Sequence, residues 1–507
     1  MTQEAHVENE GTQAVQSGAA GPGPLERLPV IPGATLLGHV NLFKDERHRL
    51  ALLRNASATG GLSRMRFLYR WVLIVSSPES AREVLVDEAA SFEKAPGVRV
   101  LLKGLAGDGL FTSEGAHWKS QRRLMSPLFH HSQLAAYTTA MNDVARHAVA
   151  GLRDGESLDL SRLMTRITMG VVGATLFGAE TFESADSLGE ALTTTLQWVD
   201  DNHASNYLTL QLSLAEALEK LRPRVPPVLE ELQDRLHAAL RSPVLLPGSR
   251  DATLNEAVRT LDRFVEKMIA ERRANVPVGE RVDLMTKLLL ARDAEGEGGA
   301  HGEGMTDVQV RDEAMTLFVA GHETTANALS WAFYLLARDP VARARVQAEA
   351  DAFGPEGVTQ YDPAKLAYTT RVFKEALRMY PPLIMLGRRS IAPFTLAGEQ
   401  YPAGVVCFVN TYGLHHDPSV WPDPDRFDPD RFLPEAEAAR HKGAWMPFGV
   451  GPRVCIGNAF ALMEGPIVMA TLMRNLHVDI NPARVIEPDA FATLRPKGGV
   501  PAVVRRR

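Results

Sequence analysis

The chain alternates between two hydrophobic rhythms. Strand-like stretches at Gly61 to Phe67 and Trp71 to Ser76, the second nearly all apolar, predict a small sheet near the N-terminus. From about Pro78 to Arg338 the rhythm turns helical, with charged faces set against Leu, Ala and Val stripes and only short interruptions. Proline-rich breaks at Arg222 to Pro227 and Ser242 to Gly248 separate helices, and the glycine-dense Ala294 to Gly304 predicts a surface loop. The longest helix is expected from Thr306 to Arg338, opened by a Thr cap with early acids and closed ahead of Pro340. Strand signals return after Pro381 and Pro382, where Phe394 to Leu396 and Val405 to Val409 flank turn residues at Gly398 and Pro402 to Gly404. The pattern is mainly α with a smaller β portion, an α+β class.

Composition refines this picture. The first 24 residues carry almost no large apolar side chain and are expected to be a disordered tail, leaving residues 25–507 to fold. Length alone suggests about three domains at roughly 100–200 residues each. Net charge is −6, so there is no basic excess for nucleic acid. The two cysteines, Cys407 and Cys455, exclude a disulfide framework and any multi-thiolate metal cluster within the chain. No apolar run approaches the ~20 residues of a transmembrane anchor. The tail lacks a signal-peptide pattern, so the expected location is cytoplasmic. Neither G-x-G-x-x-G nor a P-loop occurs, so no built-in nucleotide or flavin domain is expected.

The chemistry concentrates around Phe448-Gly449-Val450-Gly451-Pro452-Arg453-Val454-Cys455-Ile456-Gly457, where a lone cysteine stands just before the helical run Asn458 to Leu476. Small residues let backbone amides approach the sulfur, the helix N-terminus favours negative charge, and Arg453 adds a cation. A single thiolate without companion ligands suits axial ligation of haem iron. In the long helix, Ala320-Gly321-His322-Glu323-Thr324-Thr325 places an acid and hydroxyls among Phe318, Val319, Leu329 and Trp331, which call for burial. Gly321 is expected to let a flat cofactor approach the backbone, and a Thr hydroxyl can open the helix ladder locally. His322 reads as packing or surface rather than as a ligand.

F-x-x-G-x-R-x-C-x-G resembles the cysteine-ligand signature of the cytochrome P-450 superfamily, and the likeness runs from about Leu28 to the C-terminus. The resemblance implies that family's fold: a helical triangular prism in one catalytic domain, with haem b between a long central helix and the cysteine-loop helix. It implies Cys455 as the iron ligand, Thr324 and Glu323 in oxygen activation and proton relay, and Phe448, Gly449, Gly457, Ala320 and Gly321 beside the haem. Trp118 and Arg122 resemble the family's W-x-x-x-R pair for the haem propionates. Arg453 is the expected second cation, and Arg389, or its neighbour Arg388, the third, with Lys103 and His117 as further candidates. Glu375 and Arg378 resemble E-x-x-R, and Arg431 completes a structural triad from Pro429-Asp430-Arg431-Phe432, where Asp430 replaces the family's Glu.

The implied function is monooxygenation, inserting one oxygen atom from dioxygen into a lipophilic substrate. Electrons are expected from NAD(P)H through a separate ferredoxin or flavodoxin and its reductase, docking near Lys119 and Arg123. Gly107 to Ser113 is similar to the same stretch of fatty-acid hydroxylases, which implies Phe111 and Ala320 in the substrate pocket and favours a fatty acid over a terpenoid or polyketide. Arg70 with Tyr69 is the candidate carboxylate clamp. A monomer is expected. The alternatives are a peroxide-using or isomerising haem-thiolate enzyme and a non-catalytic haem sensor.

Overall fold

A computed structural model describes residues 23–178, 185–203, 205–221, 226–274, 284–290, 305–490 and 492–507. The predicted 294–304 loop, the start of the Arg222 to Pro227 break and residues 1–22 of the predicted tail lie outside the described residues. A short helix, Pro24–Arg27, straddles the boundary expected between tail and folded chain.

The central helix spans Asp307–Arg338. Thr306 caps it: its hydroxyl accepts from Gln309 N–H while the Gln309 side chain accepts from Thr306 N–H, satisfying two N-terminal donors. Asp339 and Pro340 then start the next helix, Pro340–Asp351, which ends the run. Phe318, Ala328, Leu329 and Trp331 are fully buried, because helices Leu160–Val172, Ala252–Ala274, Ala367–Met379 and Asn458–Asn475 pack around this one. A helix apolar on nearly every side requires such a sheath. One large cluster of buried residues runs from Leu102 to Val504 through these helices, so they share one core.

The main sheet has five strands in the order Leu62–Phe67, Arg70–Val75, Val406–Val409, Leu386–Ser390 and Phe92–Lys94. All pair antiparallel except Arg70–Val75 with Val406–Val409, which run parallel with Leu73 opposite Cys407. Phe394–Leu396 does not join this sheet: it turns back on Glu399–Tyr401 through Ala397 and Gly398, both at positive φ. Pro501–Arg506 lies between Glu156–Asp159 and Leu476–Asp479 in a second, three-stranded sheet. No described helix is long and apolar enough to cross a membrane.

Glu375 and Arg378, both on helix Ala367–Met379, meet Arg431. Arg378 and Glu375 are both fully buried, and Arg378 donates from Nε (2.7 Å) and Nη2 (2.9 Å) to the two Glu375 oxygens. Its Nη1 donates to the His415 carbonyl at 2.8 Å, and Arg431 approaches Glu375 at 3.5 Å. Asp430 faces outward to Arg345 and Arg371, so the Asp for Glu departure leaves these three residues untouched.

Candidate functional site

The Cys455 loop is shaped by its glycines. Gly449 and Gly451 have φ of +69° and +78°, and a Cβ at Gly451 would fall 2.1 Å from the Leu85 carbonyl oxygen. Only glycine fits that contact. Cys455 N–H donates to the Phe448 carbonyl at 2.9 Å, and Gly457 N–H reaches back to the Cys455 sulfur. A Cβ on Gly457 would meet that sulfur at 3.9 Å. Cys455 has exposed surface. Desolvation pushes its thiol up, opposed by the Gly457 amide and by the charge of Arg122. Cys407 is fully buried and pushed up to about 12 by desolvation, which makes it inert at neutral pH.

In the central helix, Ala320 is an exposed residue within a mostly buried middle stretch. Thr324 Oγ1 donates to the Ala320 carbonyl at 2.9 Å, tapping the helix ladder as its sequence context predicts. Gly321 also has a packing role. A Cβ there would meet Val172 Cγ2 at 3.0 Å, so the missing side chain lets helix Leu160–Val172 pack closely. His322 is buried, its Nδ1 lies 2.8 Å from the Phe318 carbonyl, and desolvation lowers it to about 4. Desolvation raises Glu323, whose Oε1 accepts from Thr493 Oγ1 at 2.8 Å. Thr493 accepts in turn from Asn327 Nδ2 at 2.9 Å, and Arg495 supplies a nearby positive charge. Thr493, Asn327 and Arg495 were not legible from motifs, because Thr493 and Arg495 arrive from a strand pair some 170 positions away in sequence.

The cations separate into two groups. Trp118 lies under the Arg453 guanidinium, 4.3 Å from its ring centroid, with Lys94 Nζ at 5.8 Å. Arg453 is paired with Glu114, Nη1 donating to Oε1 at 3.1 Å, and Lys94 is 3.6 Å from the same carboxylate. Arg388 faces these groups and has no carboxylate within ion-pair distance among the described residues; desolvation first, then Arg453, lowers it to about 10. Lys94 is lowered to about 7 by desolvation, with Arg453, Arg388 and Arg99 adding repulsion. Arg122, half-buried and lowered by desolvation, has Cys455 as its opposing charge. Arg389 belongs elsewhere. Successive strand residues face opposite sides, and Arg389 meets Glu93, Glu216 and Glu219, each at 3.7 Å. The cation that joins Arg453 is therefore Arg388, correcting the expected Arg389. Lys103 and His117 are both engaged with Asp108.

Arg388 and Arg453, with Lys94 only partly charged near neutral pH, thus share Glu114 as counter-charge, a surplus of more than one positive charge before Arg122 is counted. Buried charge of one sign calls for a partner. A ligand carrying two carboxylates and presenting a metal to an accessible thiol fits that donor set.

The Cytochrome P450 family profile matches residues 28–500. The chain belongs to the cytochrome P450 family. It is 33% identical over 443 residues to cyclooctat-9-en-7-ol 5-monooxygenase of Streptomyces melanosporofaciens, covering 87% of each chain. It is 30% identical over 466 residues to pentalenene oxygenase of Streptomyces avermitilis, covering 91% of this chain and 94% of that one. Among solved structures, the haem domain of cytochrome P450DA aligns with a TM-score of 0.75 at 24% identity, over 95% of this chain and 98% of that one, a likeness of fold. The protein is a P450 monooxygenase, and membership implies haem. Such enzymes normally act on lipophilic substrates with electrons from redox partners.

Lys119 and Arg123 of this P450 are exposed on helix Gly115–Met125, which also carries Trp118 and Arg122. Phe111 is half-buried against the main core. The candidate clamp Arg70 is paired with Glu216, on helix Asn206–Leu221, beside an exposed Tyr69.

Proposed function

We propose that this P450 hydroxylates or epoxidises a cyclic, terpenoid-type lipophile. Its electrons come from NAD(P)H through a separate ferredoxin or flavodoxin and its reductase. The observation that supports the haem placement is the charge of Arg122 facing Cys455, on the same helix as Trp118, which stacks with Arg453. Cys455 would hold the iron as a thiolate, steadied by the Gly457 amide. Trp118, Arg122, Arg388 and Arg453 would hold the propionates, with Phe448 and Gly449 shaping the sulfur side. Haem, when bound, supplies oxygen activation. Glu323, raised by desolvation and held by Thr493, is suited to carry a proton towards the Thr324 hydroxyl. Ala320 and Phe111 would line the substrate space.

Two observations favour a neutral lipophile over a fatty acid. Glu216 already occupies Arg70, so a carboxylate at that mouth would have to displace an acid. Both relatives above are named for oxygenating cyclooctat-9-en-7-ol or pentalenene, neither of which is an acid by name. The test is optical titration of the purified protein with cyclic sesquiterpenes and diterpene alcohols in parallel with long-chain fatty acids. Terpenoids are expected to give the spin-state shift and, with surrogate redox partners, oxygenated product. A shift and product from fatty acids alone would overturn the assignment.

The propionate assignment makes its own prediction. Arg388→Gln is expected to speed haem loss to apomyoglobin by about tenfold or more, the scale of one charge-assisted hydrogen bond. Arg389→Gln should change it by less than about threefold. Equal effects from both would remove the distinction between the two strand faces.

A further inference from the structure

The turn that carries Phe111 is held from several sides, and its tightest hold comes from the central helix. Asp108 N–H donates to Asp312 Oδ2 at 2.8 Å, and Leu110 N–H donates to Glu313 Oε2 at 3.0 Å. The approach is as close as glycine allows. A Cβ on Gly107 would fall 2.1 Å from the Asp312 carboxyl, and one on Gly109 would lie 2.4 Å from Thr316 Oγ1. Glu313 is completely buried, and among the described residues its other oxygen, Oε1, has no hydrogen-bond partner, nor has Thr316 Oγ1 nor Ser113 Oγ. An acid buried at that cost is retained for what it holds.

We infer that Asp312 and Glu313 are positioning residues for substrate selection: they lock the Gly107–Ser113 turn against the central helix and so fix where Phe111 projects over the substrate space. The inference rests on the pocket reading proposed above. Other elements grip the same turn by its carbonyls. Lys94 Nζ donates to Leu110 O at 3.1 Å and Ser113 O at 2.8 Å, and Arg99 Nε donates to Thr112 O at 2.9 Å. Only the two acids receive its N–H groups from the central helix, which also carries Ala320 and Thr324, so they tie the position of Phe111 to the reacting face. Arg311 holds Asp312 at 2.9 Å and is itself paired with Asp262 of helix Ala252–Ala274.

The charged groups facing Glu313 are Asp312 on its own helix and Lys94 from the sheet. Desolvation is the main cause raising Glu313 to about 7, from an ordinary 4.5. A raised acid binds its proton more tightly in the folded state, so its contribution is full below about 4.5 and is lost as pH rises through about 7. Glu313→Gln should abolish that part of the pH dependence of stability.

The decisive experiment compares Glu313→Ala, Glu313→Gln, Phe111→Ala and the Phe111→Ala/Glu313→Ala double variant in the haem-loaded protein. Two iron-binding probes are titrated, imidazole and 1-dodecylimidazole. Glu313→Ala is expected to weaken 1-dodecylimidazole about tenfold, the scale of one such hydrogen bond, and imidazole less than about twofold. Glu313→Gln, which keeps an acceptor, should stay within about threefold of the parent. In the Phe111→Ala background, Glu313→Ala should have no further effect beyond about twofold, because the two act as one unit. Independent, multiplying effects would overturn the inference, as would equal weakening of both probes. Hydrogen exchange of the peptide spanning Leu110 and Phe111 decides the same question without iron: Glu313→Ala should accelerate it about tenfold, and unchanged exchange would overturn the inference. A parent protein that gives no imidazole-bound spectrum would count against the haem reading, while exchange still decides the role of Glu313.

Discussion

Cys455→Ser is expected to abolish both the thiolate-shifted Soret band of the reduced carbon monoxide complex and measurable turnover. Serine keeps the size of the side chain and the Gly457 amide partner, but a neutral hydroxyl does not donate as a thiolate does. No other side chain can take over. Cys407, the remaining cysteine, is fully buried in strand Val406–Val409 with its thiol pushed up to about 12. The cations should still retain much of the haem, because Arg388 and Arg453 do not have the sulfur as a partner. The distinguishing result is therefore a haem-containing variant with an unshifted band. Retention of the shifted band in Cys455→Ser would refute ligation by this residue.

The second large effect is on folding. Arg378→Ala would leave the Glu375 carboxylate fully buried after losing its two shortest side-chain hydrogen bonds. Breaking one partner of a buried pair costs about 3–5 kcal/mol, comparable with a substantial part of the roughly 5–15 kcal/mol that keeps a domain folded. Arg378→Ala is therefore expected to lower soluble yield sharply and to move the urea midpoint downward by an equivalent amount. The control is Arg345→Ala, which removes a half-exposed partner of Asp430 at 3.4 Å and should cost less than about 1 kcal/mol. If both variants unfolded at the same urea concentration, the triad would have no special structural role.

Geometry was most legible in the sequence where neighbouring residues determine it. The loop around Cys455, the capped helix at Thr306 and the i, i+3 pair Glu375 and Arg378 are local patterns, and each can be read from a few consecutive residues. Legibility failed where geometry depends on pairing across the fold. Choosing between Arg388 and Arg389 requires the face of a strand, and that face is set by its register against Val406–Val409 and Phe92–Lys94. The packing role of Gly321 was equally hidden, because the approach of Val172 comes from helix Leu160–Val172 across the fold. Glu114 and Lys94 carry no motif. They become part of the site only because the strand Phe92–Lys94 and the start of helix Gly115–Met125 meet beside Arg453. Likewise Glu313 looks like an early helix acid until Leu110 N–H is seen to donate to it.

The parallel pairing of Arg70–Val75 with Val406–Val409 also sets a timetable for the nascent chain. Its antiparallel neighbour, Leu62–Phe67, is available almost at once, whereas its other neighbour is separated by more than 300 residues. At roughly 5–20 residues per second, that partner follows by about half a minute. Throughout this interval one side of an apolar strand, Trp71 to Val75, has unpaired backbone groups, the kind of edge on which chains aggregate. Shielding that edge during synthesis is therefore expected to raise the yield of folded enzyme.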